Sequence, residues 1–229
     1  MLSRHARGLW VPACAGTTSF FLLANRPTGL YSKPMTTPPT RDRLIRAMGD
    51  ALQRKGLHGV GLSEILAAAD TPKGGLYHHF PGGKTELAVA AIEQQVAELC
   101  ALLDKLLPTA SDPVAALEQW TARAQQLLAA SGFQRGCPLA TVALESEVGD
   151  IAIRKALADG FAAIRERLAL AFQASGKIAD AAGLAALIVA AYEGALLQAR
   201  VAGSVAPMEL VSATLFPLLR TQLQGNSHD

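Results

Sequence analysis

The chain has 229 residues, of which 50% are hydrophobic, 5% aromatic and 17% charged, enough for one or two domains with a buried core and too apolar for wholesale disorder. Its 43 Ala and 34 Leu stand among few runs of Val, Ile, Thr, Tyr or Phe, which indicates an all-helical protein. The net charge of +2 divides into +4 over residues 1–34, +3 over 35–84 and −5 over 85–229, a basic head on an acidic body that points to a polyanionic partner.

Residues 1–34 carry Arg4, Arg7, Arg26 and Lys33 without an acid and are broken by Pro12, Gly16, Pro27 and Gly29. Their longest apolar run, Phe20 to Ala24, is shorter than the roughly 7 to 15 residues of a signal-peptide core, so no secretory signal is expected. The composition would suit an organellar transit peptide. The run Trp10-Val-Pro-Ala-Cys-Ala-Gly-Thr-Thr18 also resembles the translated repeat elements annexed to over-extended bacterial reading frames. On that resemblance translation is expected to begin at Met35, with residues 1–34 disordered if made.

From Thr40, Leu44, Ile45, Met48, Ala51 and Leu52 fall on one helical face that stops at Gly56, giving a first helix over about 41–55. Gly61 can cap a second helix with Glu64 at its third position and Leu62, Ile65, Leu66 and Ala69 inward, ending near Asp70. Thr71 is an N-cap candidate and Pro72 suits a first turn, so a third helix is expected to His79, with Leu76 and Phe80 inward. Pro81-Gly82-Gly83 breaks the chain.

A long helix follows over about 84–107 and stops at Pro108. Further patterns run about 113–130, 138–147, 150–174, 180–202 and 207–223, separated by Gly132, Gly136, Gly149, Gly176 and Gly203. The expected fold is therefore nine helices and no strand, with a kink or early end at Pro217. No stretch offers the ~18 to 20 unbroken apolar residues of a spanning helix, because Glu193 interrupts even the Ala-rich run from Gly183 to Leu197. No membrane partner is expected, and a cytoplasmic location is. Cys14, Cys100 and Cys137 are an odd number at spacings that fit no zinc or disulfide framework, as in a reducing compartment.

Helices two and three, joined by the short Asp70-Thr71 turn, form a helix-turn-helix whose second element would enter the DNA major groove. Leu76 and Phe80 hold that element to the domain, leaving Thr71, Lys73, Gly74, Gly75, Tyr77 and His78 toward nucleic acid. Lys73 can reach a base edge or a phosphate. Gly74 and Gly75 cost roughly 1 kcal/mol each in a helix, and close approach of backbone to DNA is one compensation. Tyr77 and His78 can donate to phosphate oxygens, and the positive end of helix four with Lys84 makes an anion site.

The run Thr71-Pro-Lys-Gly-Gly-Leu-Tyr-His-His-Phe-Pro-Gly-Gly-Lys-Thr-Glu-Leu87 resembles the recognition-helix signature of the tetracycline-repressor (TetR) family. Its Phe-Pro-Gly-Gly-Lys linker, one residue longer than the commonest form, is similar to the LmrA/YxaF-like branch. Arg135-Gly-Cys-Pro-Leu139 and Tyr192-Glu-Gly-Ala-Leu-Leu197 sit where that branch carries comparable segments. The resemblance implies a homodimer with a helix-turn-helix DNA-binding domain over 35–84 and an effector-binding and dimerisation domain over 85–229. It implies a double-stranded operator from which a small molecule releases the protein. It makes Lys73, Gly74 and Gly75 base-facing and Ser63, Tyr77, His78 and Lys84 phosphate-facing.

Other chemistries fit less well. Gly82-Gly-Lys-Thr85 mimics the end of a P-loop, but a P-loop needs glycine where His78 stands and a preceding strand. His78 and His79 point about 100° apart on a helix and do not converge on a metal, so no metal or cofactor is expected. Cys137 as a nucleophile lacks a neighbouring base, Glu145 and Glu147 fall on opposite helix faces, and no catalytic residue is assigned. The chain is read as a regulator and repressor rather than an enzyme; a helical DNA-binding protein that activates or organises DNA without an effector is the alternative.

The effector pocket is expected in the body among the helices from 84 to 202, with Trp120, Phe133, Cys137, Phe161 and Tyr192 as candidate walls and the break from Gly132 to Pro138 as an entry. With Glu193 and Arg165 its few buried-looking charges, an aromatic or lipophilic, largely uncharged ligand is expected. The last two helices are expected to pair with a second copy through Leu184, Leu187, Ala191, Ala195, Leu196, Val211, Leu215 and Leu218. A two-fold axis would then set two recognition helices about 34 to 36 Å apart on a near-palindromic operator.

Overall fold

The computed structural model describes residues 38–175 and 178–224. The expected start at Met35, the state of residues 1–34 and Cys14 lie outside them. Among the described residues there are nine helices and no strand. They are α1 (Thr40–Lys55), α2 (Leu62–Ala68), α3 (Lys73–His79), α4 (Gly83–Leu106), α5 (Pro113–Ala130), α6 (Pro138–Glu145), α7 (Ile151–Ala174), α8 (Ala181–Ala202) and α9 (Ala206–Gln224).

Local chemistry sets the ends. The Asp112 carboxylate accepts the Ala115 N–H at 2.8 Å with Pro113 in the first turn of α5, and Asp180 accepts the Gly183 N–H at 2.8 Å to open α8. Gly203 closes α8 at φ 60°, a left-handed position that glycine adopts without a Cβ clash. α4 crosses α7 closely at Gly160, where an added Cβ would stand 2.6 Å from the Val96 Cγ2 methyl.

Three expectations need correction. Thr71 does not cap α3: its hydroxyl donates to the Ala69 carbonyl at 2.9 Å, and the extended residue before the helix is Pro72. α6 stops at Glu145 because Ser146 is extended, so Glu145 and Glu147 do not share a helix. Of the kink or early end expected at Pro217, the early end does not occur: α9 runs on through Pro217 to Gln224. Pro217 and Ala213, whose carbonyl loses its usual donor four residues on, are both exposed, so water can take the orphaned bond.

One buried cluster runs from the first three helices (Leu44, Met48, Leu76, Phe80) through α4 (Leu87, Leu103) to Trp120, Leu168 and Phe172 in the body. Leu128, Ala195, Leu196, Ala199 and Met208 form a second, smaller one. The expected boundary after residue 84 therefore does not divide two separate cores. α8 departs from the expectation of no spanning candidate: its mean hydropathy of 1.5 over 18 residues suffices, by length and composition alone, to cross a membrane. It packs instead against α7 and α9, with 28% of that window buried, which leaves much apolar surface uncovered.

Candidate nucleic-acid interface and effector cleft

The turn that aims α3 is held from α1. The Arg43 guanidinium donates to the carbonyls of Ala69 at 2.9 Å and Asp70 at 3.0 Å, and to Pro38 at 3.3 Å. Asp70 itself has φ 47°, a left-handed conformation that a short polar side chain tolerates in a tight turn. Leu76 and Phe80 are buried, and Arg41 lies over the Phe80 ring at 5.4 Å. These contacts leave Lys73, Gly74, Tyr77 and His78 exposed together on α3, with Ser63 exposed on α2. No acidic side chain stands on α3.

Three expected members of this face are placed differently. Thr71 is only 8% exposed, its hydroxyl turned inward, so it stabilises the turn and is withdrawn from the reading face. Gly75 is partly covered, and an added Cβ would lie 2.8 Å from the Thr71 Cγ2 methyl, so the close approach that requires glycine there is internal. Gly74 has nothing within 4 Å of the same position and is open to an outside surface. Lys84 donates to the carbonyls of Leu57 at 2.6 Å and Val60 at 2.7 Å. An ammonium has three donors, so one remains for phosphate.

The same α1–α2 turn is gripped from the body. The Glu145 carboxylate, at the end of α6, accepts the backbone N–H groups of Leu57 and of His58, the latter at 3.0 Å. Just before α6, the Gly136 N–H donates to the Gln53 carbonyl at 2.9 Å and the Arg135 guanidinium pairs with Asp50. From α8, Arg200 donates to the Arg54 carbonyl at 2.7 Å. The end of α1 and the turn after it are thus tied to α4, α6 and α8. Sequence reading found none of these ties and assigned Lys84 to phosphate alone, because each joins residues far apart in the chain without a local pattern.

In the body, Trp120 of α5 and Tyr192 of α8 stack with ring centroids 4.4 Å apart and planes 21° apart. They line a cleft of only about 20 Å³ with Leu117, Ile188, Met208 and Phe216, which takes one wall from α9, beyond the helices expected to enclose it, so a drug-sized effector must part these side chains to enter. Phe133 and Cys137 do not line the cleft; they pack with Tyr192 against the smaller core cluster. Phe161 packs against the main core and is not part of the cleft wall. Phe133 has φ 62°, an uncommon left-handed conformation for a bulky residue, where the chain leaves α5.

Burial pushes the Cys137 thiol well above its ordinary range, with Glu193 adding to the effect, which opposes a role as nucleophile. Desolvation raises the Glu193 carboxyl to about 7, countered in part by the Cys137 S–H that donates to it. Burial likewise pushes the Tyr192 hydroxyl up. No group of three or more His, Cys, Asp or Glu able to hold a metal is present among the described residues.

On the expected pairing face, Leu187 and Leu218 are exposed and Leu184, Ala191, Val211 and Leu215 partly so. Ala195 and Leu196 are 3% and 7% exposed within the single chain. They are corrected from pairing to core positions, and the exposed Leu197, Val201 and Leu210 extend the apolar surface instead.

An exposed, acid-free recognition helix on a three-helix head, with a long helix leading into a helical body, defines a helix-turn-helix transcriptional regulator. Residues 45–91 match the profile of bacterial regulatory proteins of the tetR family, and residues 113–214 match the LmrA/YxaF-like C-terminal domain. An uncharacterised HTH-type transcriptional regulator of Mycobacterium tuberculosis is 31% identical over 195 residues, 82% of this chain and 97% of that protein. A crystal structure of the regulatory protein TetR from Rhodobacter sphaeroides is 32% identical, with TM-score 0.71, over 78% of this chain and 97% of the other. The HTH-type transcriptional repressor NemR of Escherichia coli is 28% identical, over 81% and 96%. The chain belongs to the TetR family and is a DNA-binding transcriptional regulator, not an enzyme.

Proposed function

We propose that the protein is a repressor that holds a near-palindromic operator as a homodimer and lets go when a small molecule enters the body. The observation that carries the DNA side is the joint exposure of Lys73, Gly74, Tyr77 and His78 on a helix held from behind by Arg43, Leu76 and Phe80. Residues 38–84 read DNA, with Lys73 selecting bases and Ser63, Tyr77, His78 and the third donor of Lys84 on phosphates. Residues 85–224 take the effector against Trp120 and Tyr192, and pair two copies through the bare face of α8 and α9. The repressor sense follows that of the relative NemR, a transcriptional repressor of Escherichia coli. A cytoplasmic site of action accords with DNA binding.

Release needs a path from cleft to head. The ties of α4 and α6 to the α1–α2 turn supply one, since movement of either helix displaces the element that positions α2 and α3. An effector that favours the released state by about 2 to 3 kcal/mol lowers operator affinity about 30- to 150-fold.

The test begins by sequencing DNA selected by the purified protein, then scoring a compound panel for release. Lys73→Ala should change preference among sites. Lys84→Ala should weaken all sites alike and flatten the salt dependence by about one unit of slope. Identical losses on selected and random DNA for both variants sink the division of roles. An inducer whose affinity neither Trp120→Ala nor Tyr192→Ala changes sinks the cleft assignment while leaving the DNA assignment standing.

A further inference from the structure

Arg43 stands near the start of α1, the end of a helix that disfavours a positive charge, and no ion pair among the described residues includes it. Its guanidinium is spent on backbone instead. Nε donates to the Ala69 carbonyl at 2.9 Å, Nη2 to the Asp70 carbonyl at 3.0 Å and Nη1 to the Pro38 carbonyl at 3.3 Å. Ala69 closes α2 and Asp70 follows it, so two of these acceptors lie at a helix end, where carbonyls have lost their intrahelical donors. A planar fork can span them together with Pro38; the compact ammonium of a lysine cannot.

Only Thr71 and Pro72 separate the gripped Asp70 carbonyl from Lys73, the first residue of α3. Both are stiff. Thr71 is tied through its hydroxyl to the Ala69 carbonyl at 2.9 Å and lies with its methyl against Gly75, and the ring of Pro72 holds φ at −69°. The buried anchors of this seven-residue helix, Leu76 and Phe80, sit at its middle and its far end. They fix its depth but leave its first turn free to tilt, and Gly74 and Gly75 add no side chain to steady it. The place of Lys73 therefore depends on the turn, and the turn on Arg43.

We propose that Arg43 is a positioning residue for operator selection: it touches no base, and by clamping the α2–α3 turn it sets where Lys73 meets the groove. The inference rests on the base-reading role given to Lys73 above. A hydrogen bond to a base edge weakens steeply with distance and angle, whereas attraction of a flexible cation to phosphate survives a small displacement. Loss of the clamp therefore lowers discrimination among sites more than affinity for DNA as such.

The experiment uses the full-length wild type, Arg43→Lys, Arg43→Gln, Lys73→Ala and the double variant carrying both Arg43→Lys and Lys73→Ala, each verified as folded by its thermal transition. Affinity for the DNA selected by the wild type, and for a scrambled duplex of equal length, is read by fluorescence anisotropy over a series of salt concentrations. Arg43→Lys should lower affinity for the selected DNA about tenfold or more. It should leave the scrambled duplex within about threefold and the salt slope unchanged, because the charge is kept. Arg43→Gln should lose discrimination equally, and carries the test if Arg43→Lys does not fold. In the Lys73→Ala background the further loss from Arg43→Lys should shrink below about threefold, since a residue that acts through Lys73 has nothing left to position. Wild-type affinities in Arg43→Lys would make Arg43 a plain phosphate charge; equal losses on both duplexes, or losses that add, would make it a general support of the fold. Each of these overturns the proposal. If Lys73→Ala alters preference and Arg43→Lys does not, only the proposal falls; if Lys73→Ala leaves preference intact, the base-reading role of Lys73 falls and this inference with it.

Discussion

Gly74 and Gly75 are neighbours in sequence with opposite surroundings. At Gly75 a methyl group would press on the Thr71 Cγ2 methyl, and Thr71 cannot turn aside without giving up its bond to the Ala69 carbonyl. Gly75→Ala should therefore cost about 1 to 3 kcal/mol in urea unfolding. Gly74→Ala meets nothing and should stabilise the head by up to about 1 kcal/mol through helix propensity. If Gly74→Ala also lowers operator affinity, backbone approach to DNA is the reason for that glycine; unchanged affinity rules that reason out. The exposed set Lys73, Tyr77 and His78 was legible in the sequence because it follows from one short motif and the helical period. Thr71 was misread because the same hydroxyl that can cap a helix can also turn back to a carbonyl two residues earlier, and spacing does not distinguish the two.

Glu193 makes stability depend on pH with a definite sign. Its carboxyl sits at about 7 folded against an ordinary 4.5, so the folded state binds the proton more tightly than the unfolded one. The penalty is absent below the unfolded value, grows across that interval and is complete above the folded value, so stability falls as pH rises. The full span corresponds to about 3 kcal/mol. In urea titrations Glu193→Gln should match the wild type near pH 4.5 and exceed it by about 2 to 3 kcal/mol at pH 8. A difference independent of pH would show that burial of this carboxyl is not what shifts it.

At the scale of elements, the helical period and the Gly and Pro breaks locate all nine helices to within two residues at most ends. The misses lie where a single residue decides. α6 ends early because Ser146 leaves the helix just after Glu145, and that ending sets the Glu145 carboxylate against the α1–α2 turn. Glu145→Gln weakens that acceptor while keeping its shape, and should speed hydrogen exchange at the Leu57 and His58 amides tenfold or more relative to the rest of α1. Exchange that is unchanged at both amides would mean that Lys84 and packing alone hold the turn. No sequence pattern could have revealed this bond, since its partners stand 88 and 87 residues apart.

At the scale of the molecule, α8 carries more apolar surface than its own chain covers, and so does α9 at Leu210 and Leu218. Periodicity reported the surplus but not which side of α8 remains bare, because Ala and Leu occupy both; hence Ala195 and Leu196 were assigned outward and are core. Leu187→Asp and Leu210→Asp change exposed positions and should leave the fold intact while giving monomers in sedimentation, with operator affinity reduced at least tenfold. A dimer undiminished in both variants would place the pairing surface elsewhere.

The buried cluster that passes without interruption from Leu44 and Phe80 to Trp120 and Phe172 limits how such regulators can be recombined. α1 turns one face to its own head and presents Gln53, Arg54 and Asp50 to the loop before α6 and to Arg200. A chimera joining this head to the body of another family member at residue 84 would break both the shared packing and these ties. Transplanting specificity by exchanging only the exposed residues of α3 keeps them whole, so new operators are more readily acquired on this scaffold by altering a few surface side chains than by shuffling modules.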